Sequence, residues 1–274
     1  MMNLASVARI FALCSFVLLY SCNMNKDIDV PLPGYEKQPV IEAYVIKGNK
    51  FRVLLTQTSS YFDSPLPVPI KGATVIFTHN GQTDTLQELT TLEQQYDTAT
   101  SKFYNYQLNK QIAPNPGDQF ALMVNLADGK TITGTSTFLN AVPIDTIKFT
   151  GDGDDISLAA YYHDPAHEEN YYRFLVHKNT PEGNLEDDDL GSDRLNNGKY
   201  NSFYTSDKFK HGDTLVVTLY SIEKAYYDFI RTVEDADNAN GNPFAQPATI
   251  QSTVTGGLGV FTSLPYHRRV VIIP

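Results

Sequence analysis

Cysteine is nearly absent from this chain. Only Cys14 and Cys22 occur in 274 residues, and both lie in the first two dozen. The body after Cys22 can form no disulfide, offers no thiolate for zinc and has no cysteine nucleophile. Its stability must come from packing alone. Tryptophan is absent as well, whereas tyrosine (17) and phenylalanine (15) are abundant. Basic residues are in deficit, with Lys and Arg totalling 21 against 31 Asp and Glu, a net charge of -10. That balance argues against a nucleic-acid binder, which needs a basic stripe, and against electrostatic attachment to anionic membrane surfaces. After residue 22 no apolar run is long enough to cross a bilayer.

What is present begins at the N-terminus. Arg9 precedes the apolar run IFALCSFVLLYS at residues 10–21. This has the length of a secretory h-region and is too short to span a bilayer. Ser21-Cys22 closes it and resembles a bacterial lipobox, with Tyr20 an unusual occupant. Cleavage before Cys22 would leave a mature chain held by acyl groups on that cysteine. Each buried methylene contributes about 0.8 kcal/mol, so two or more chains anchor stably. Residues 1–21 are thus expected to be a lipoprotein signal peptide and 22–38 a lipidated tether. Asn23 is not the aspartate that holds lipoproteins at the inner membrane. Lys26-Asp27-Ile28-Asp29 partly matches a surface-export signal, and Pro31-Leu32-Pro33-Gly34 ends the tether stiffly.

From residue 39 to 140 the pattern is all-β. Val40–Val45 and Phe51–Leu55 flank Gly48-Asn49. Ala73–His79 and Gln82–Leu89 flank Asn80-Gly81, a pair that permits positive φ twice and predicts a type I′ hairpin. Asp128-Gly129 predicts a second hairpin by the same reasoning. Thr131, Thr133, Thr135 and Thr137 share one face of its return strand, opposite Ile132, Gly134 and Ser136, so one face should be wet. Ser59–Pro69 and Pro114–Asp118 interrupt as loop and turn. Short strands at regular spacing suggest a sandwich.

Ala141-Val142-Pro143 marks a boundary, beyond which residues 141–274 form a second β-rich region. Strands are expected at Ile144–Phe149, Ile156–Tyr162, Tyr171–His177 and Asp213–Leu219, and two more close the chain at Thr249–Thr255 and Gly259–Ile273. Asn179–Lys210 is rich in Gly, Asn and Asp and reads as a surface excursion. One amphipathic helix is expected near 222–236, from the stripe Ile222, Tyr226, Phe229, Ile230 and Val233. Ser221 would cap it, Glu223 would sit at its positive end and Asn238–Asn242 would end it.

An ordered set of landmarks resembles domain-of-unknown-function family 4249, outer-membrane lipoproteins of Bacteroidota. The set comprises the lipobox, Val40–Val45, Lys71-Gly72-Ala73-Thr74-Val75, Pro143-Ile144-Asp145 and Asn170-Tyr171-Tyr172-Arg173. It closes on Asn242-Pro243-Phe244-Ala245-Gln246-Pro247, Ile250-Gln251-Ser252 and Gly256–Phe261. Ser252-Thr253 departs from the family's usual Ser-Asn. The resemblance implies an N-terminal immunoglobulin-like sandwich, a second β-rich domain and no assigned catalytic residue. It also implies an accessory role beside a TonB-dependent outer-membrane receptor.

Local chemistry is sparse. Gly256-Gly257-Leu258-Gly259 lacks the Lys-Ser/Thr of a phosphate loop and precedes a strand, so backbone twist or a bulge explains it. His163 and His167 stand four apart and could share a metal on a helix, but Asp164-Pro165 between them reads as a turn. Asp152, Asp154 and Asp155 offer oxygen ligands for calcium, as do Asp187–Asp189 and Asp235, Asp237 and Asn238, none with the EF-hand spacing. No serine elbow occurs. Tyr161-Tyr162, Tyr171-Tyr172 and Tyr226-Tyr227 place rings side by side, and in a strand such neighbours face opposite ways. The expectation is a non-enzymatic surface recognition or accessory protein. The alternatives are a calcium-dependent adhesin or glycan-binding module, and then a metal-dependent hydrolase. Ligand and oligomeric state carry no signal in the sequence.

Overall fold

A computed structural model of the chain describes residues 36–59, 67–91, 96–97, 102–206, 208–239 and 249–274. The signal peptide, the tether with Cys22, most of the Ser59–Pro69 loop, and residues 240–248, which include Asn242–Pro247, lie outside them.

The first half supplies β1 (Pro39–Val45), β2 (Lys50–Gln57), β3 (Val68–Pro69), β4 (Thr74–His79), β5 (Gln82–Thr85) and β6 (Gln87–Glu88). It continues with β7 (Tyr96–Asp97), β8 (Lys102–Phe103), β9 (Tyr106–Gln111), β10 (Gln119–Asn125) and β11 (Thr131–Thr137). The second half supplies β12 (Thr146–Thr150), β13 (Ser157–His163), β14 (Tyr171–Lys178), β15 (Leu185–Ser192), β16 (Tyr200–Tyr204) and β17 (Thr214–Ile222). Helix α1 (Lys224–Ala239), β18 (Val254–Thr255), β19 (Leu258–Ser263) and β20 (Tyr266–Ile272) follow. The protein is mainly β, in stacked and mostly antiparallel sheets of immunoglobulin-like arrangement.

The two halves repeat one topology. In the first, β1-β2-β9 faces β5-β4-β10-β11; in the second, β12-β13-β16 faces β15-β14-β17-β20. Each has its first, second and fifth principal strands in one sheet and its fourth, third, sixth and seventh in the other. That is the seven-strand sandwich plan in which consecutive strands cross between sheets. Alternation writes each core. β1 buries every second residue, and Ile41, Ala43 and Val45 meet Phe51, Val53 and Leu55 of β2. Phe77 stacks on Phe51 at 4.2 Å and on Phe120 at 5.5 Å. The second core gathers Tyr162, Tyr172, Phe174 and Phe203, the last two rings stacked at 5.1 Å.

The hairpins follow their turns. Asn80 and Gly81 both take positive φ (48° and 84°), as the type I′ turn requires. The β10–β11 hairpin forms, but only Gly129 has positive φ, at 85°. There Gly129 N–H bonds Leu126 O at 3.0 Å and Leu126 N–H bonds Lys130 O at 2.9 Å. This is a longer loop with a glycine bulge, not a second two-residue turn. On β11 Thr131, Thr133 and Thr135 are exposed while Ile132, Gly134 and Ser136 are buried.

Three expectations need correction. Asn179–Lys210 is not a structureless excursion, since it carries β15 and β16. Both are edge strands, where polar residues are tolerated because one side meets solvent, so their Asp and Asn content hid them. The final Gly259–Ile273 run is two strands in different sandwiches, broken at Pro265. The helix begins at Lys224: Ile222 ends β17, and the Ser221 hydroxyl accepts the Val142 N–H (3.1 Å) instead of capping.

The connection from β17 to β20 binds the halves together. It leaves the second sandwich, forms α1, and lays β18 against β11 and β19 parallel to β1 before returning. Residues 254–263 thus belong to the first sandwich's sheets, although they lie within the 141–274 range. Gly259 makes this possible. Its φ is +109°, and a Cβ there would stand 2.0 Å from Ile41 O. A buried polar cluster fixes the join. Glu223 accepts from Ser136 Oγ (2.6 Å) and Thr137 N (3.0 Å). Ser136 Oγ also accepts from Ser263 N (2.8 Å), and Ser263 Oγ donates to Thr137 O (2.8 Å). Glu223 thus meets β11 as well as standing at the helix start, where its carbonyl accepts from Tyr226 N and Tyr227 N.

Candidate functional site: a cationic cleft lined by tyrosines

Between the two sandwiches lies a cleft of about 700 Å³, within the range of small-molecule sites. Its floor is a third apolar cluster in which Tyr226 of α1, Ile222, Val260 and Leu264 pack against Tyr44 and Ile46. Tyr44 and Tyr226 meet edge to face at 6.1 Å. Burial, then the Tyr226 hydroxyl and Glu42, hold the Tyr44 phenol far above its ordinary pKa, so it stays neutral.

The walls are basic in an acidic protein. Lys50, Arg52 and Lys102 come from the first sandwich, Arg173 and Arg268 from the second, and Glu182 is the single carboxylate among the described lining residues. Arg173 and Lys102 each meet a carboxylate. Arg173 forms a two-pronged pair with Asp188 (2.9 and 2.6 Å) and donates to Tyr226 Oη (2.8 Å). Burial opposes its charge, but Asp188 outweighs that and holds the guanidinium firmly protonated. Lys102 reaches Glu42 at 3.4 Å.

Arg268 differs. It is half-buried, lies over Tyr266 at 4.6 Å, and donates to Thr218 Oγ1 (2.9 Å) and Tyr220 Oη (3.5 Å). Among the described residues neither Arg268 nor Lys50 has a carboxylate partner. Arg52 donates to the neutral Gln107 Oε1 (2.9 Å) and lies 5.4 Å from the Tyr104 ring. His177 completes the wall. Burial, then Arg268, lower its pKa and keep the imidazole neutral, so it adds no charge. A fixed guanidinium with spare donors, flanked by phenols and aromatic faces, suits an oxyanion such as a carboxylate or sulfate.

The residues singled out in the sequence fall elsewhere. His163 ends β13, and its Nδ1 lies 2.7 Å from Asp145 Oδ2. His167 sits in the following turn with φ +82°, so no helical face presents the two together. Asp152, Asp154 and Asp155 lie in an exposed turn where Asp154 faces Lys210 at 3.2 Å. Among the described residues no group of three or more His, Asp or Glu side chains is placed to hold a metal ion. Asp187 is buried against Ser206, and Asp188 is paired with Arg173. Cys22 lies outside the described residues. Tyr161 and Tyr162 do face opposite ways: Tyr161 stacks on exposed Tyr200 at 5.5 Å, and Tyr162 is core. The cleft residues were missed because they are scattered from Tyr44 to Arg268 without a local motif. Basic residues alternating with tyrosine, as in Tyr266-His267-Arg268, were the available signal.

Fold and cleft together define a tandem β-sandwich protein with a positively charged inter-sandwich site. The chain belongs to the family described as Domain of unknown function (DUF4249), whose model matches residues 25–269. No curated protein matches it. Among solved structures it is similar to a DUF4785 family protein from Legionella pneumophila. The identity is 10% and the TM-score 0.25, over 66% of this chain and 52% of that one, so the chain spans about half that protein's length. It is also similar to a two-domain fibronectin type III segment of chicken tenascin, at 12% identity and TM-score 0.21, over 67% of this chain and 90% of that one. No described helix is long and apolar enough to cross a membrane.

Proposed function

We propose that the protein is a non-enzymatic recognition subunit of the outer membrane, lipid-anchored through Cys22 and facing outward, that captures an anionic small molecule in the Arg268 cleft. The ligand class is an acidic saccharide or another compact carboxylate or sulfate bearing ring faces for tyrosine. The carrying observation is Arg268, half-buried over the Tyr266 ring and, among the described residues, hydrogen-bonded only to the Thr218 and Tyr220 hydroxyls, in a protein of net charge -10. A cation so placed gains most from an anion that arrives with a ligand. Anchoring raises the local concentration, so modest affinity suffices beside a TonB-dependent receptor, the partner we assign. A glycan-binding adhesin uses the same cleft on an external polymer, and the Tyr161–Tyr200 pair favours that second reading.

Calorimetric titration of acidic against neutral oligosaccharides tests the site. Acidic ligands should bind and neutral ones should not, and Arg268→Ala should weaken binding at least tenfold, about 1.4 kcal/mol. Binding that is indifferent to ligand charge and to Arg268 contradicts the reading. Intact mass of the membrane form tests the anchor: a diacyl or triacyl mass on Cys22 is expected, and an unmodified N-terminus contradicts it. Co-purification in mild detergent tests the receptor; recovery as a lone monomer removes that assignment.

A further inference from the structure

Outside the residues that line the cleft, one end of the second sandwich holds oxygen atoms that the fold leaves unserved. Asp193 follows β15 and is 2% exposed, and neither of its carboxylate oxygens has a hydrogen-bond partner among the described residues. Asn170, just before β14, accepts the Asp193 N–H on its backbone carbonyl (3.1 Å), and its own buried Oδ1 is also unpartnered. The Asn170 backbone N–H lies near the same carboxyl group.

Asp164, at the end of β13, brings a second buried carboxylate, 5% exposed. It is held by Tyr172 Oη (2.5 Å) and by Gly198 N (2.8 Å). It lies close enough to Asp193 for the two to interact directly. Among the described residues no cationic side chain is paired with either carboxyl group, and a buried polar atom left without a partner is costly. Unpaired buried groups of this kind call for a ligand.

We propose that Asp193, Asp164 and Asn170 form a divalent-cation site of the calcium class. All three supply hard oxygen, the donor type that calcium and magnesium take and that zinc and copper sites use least. Calcium fits better than magnesium, because it tolerates irregular geometry and mixed carboxylate and amide ligands. Tyr172 and Gly198 act as the outer shell, orienting Asp164 while leaving lone pairs for the metal. The ion would tie the β13–β14 connection to the β15–β16 connection and so clamp the ends of both sheets. Tyr171, next to Asn170, packs on Tyr227 of α1 at 4.9 Å, which extends the clamp to the helix.

The test uses the full-length protein stripped with EDTA. Terbium is the probe, because tyrosine excitation sensitises its emission, the chain has no tryptophan, and Tyr172 touches the site. Sensitised emission displaced by calcium is expected, with a calcium-dependent rise in Tm of about 2 °C or more at millimolar calcium. Asp193→Asn should abolish both. Asn170→Ala, which keeps both carboxylates, should weaken apparent affinity about tenfold and decides the matter if the first variant does not fold. Absence of emission and of any calcium shift in the wild type overturns the proposal. So does emission that survives in both variants, which means surface acids bind the probe. A wild-type Tm that rises with acidification but ignores calcium assigns a shared proton to the pair and likewise overturns it.

Discussion

The two sandwiches share a strand order and solve closure differently. The first gathers Phe51, Phe77, Phe120 and Phe261 in its centre, ties its one deeply buried asparagine among the described residues, Asn105, to the Leu55 backbone, and finishes its sheets with strands from residues 254–263. The second completes seven strands of its own but threads polar groups through one end, where Asp164, Asp193, Tyr162 and Tyr172 are buried. A shared topology therefore fixes neither how edges are closed nor what lies at the loop ends. Edge closure in the first makes its integrity depend on the second, because β19 leads directly into β20.

That dependence can be broken at several points. Phe77→Ala should cost about 3–5 kcal/mol, and Phe174→Ala in the other core a similar amount. If the halves are coupled, each lowers the same denaturant midpoint; a Phe174→Ala protein that keeps a wild-type transition for the first sandwich decouples them. Gly259→Ala comes next, at about 2 kcal/mol or more, because alanine disfavours positive φ and its methyl group meets Ile41 O. Amide exchange should then rise along β1 and β19 while β14 and β17 stay protected.

The smallest effect concerns Asp118. The Asn115 amide, then Asn80 and His79, hold its carboxyl down at about 2 against an ordinary 3.8. Its contribution is complete above the ordinary value and is lost as pH falls through the folded one. Thermal melts between pH 4 and pH 2 should show this loss in the wild type and a flatter profile in Asp118→Asn.

Much of this fold was legible in the sequence. Asn80-Gly81 gave its turn because both residues accept the positive φ that a type I′ loop needs. The β11 threonines gave their wet face because strand alternation is local. Lys224–Ala239 was legible as an apolar stripe, yet its start was misplaced because Ile222 has the right spacing while belonging to β17. What stayed hidden depended on distant partners. β15 and β16 are too polar to announce themselves without β14 and β13 beside them. The cleft joins Lys50 to Arg268, and the oxygen cluster joins Asp164 to Asp193, spacings at which no residue pattern is visible. Asp152, Asp154 and Asp155 drew attention by density, whereas the buried unpartnered carboxylate is Asp193, one residue after β15.

The borrowed strands and the Glu223 cluster weld both sandwiches into one body with a fixed cleft between them. Differential scanning calorimetry of the intact protein tests this most directly. One transition, with calorimetric and van't Hoff enthalpies equal, is the expected result. Two resolved transitions, each carrying about half the enthalpy, would contradict it.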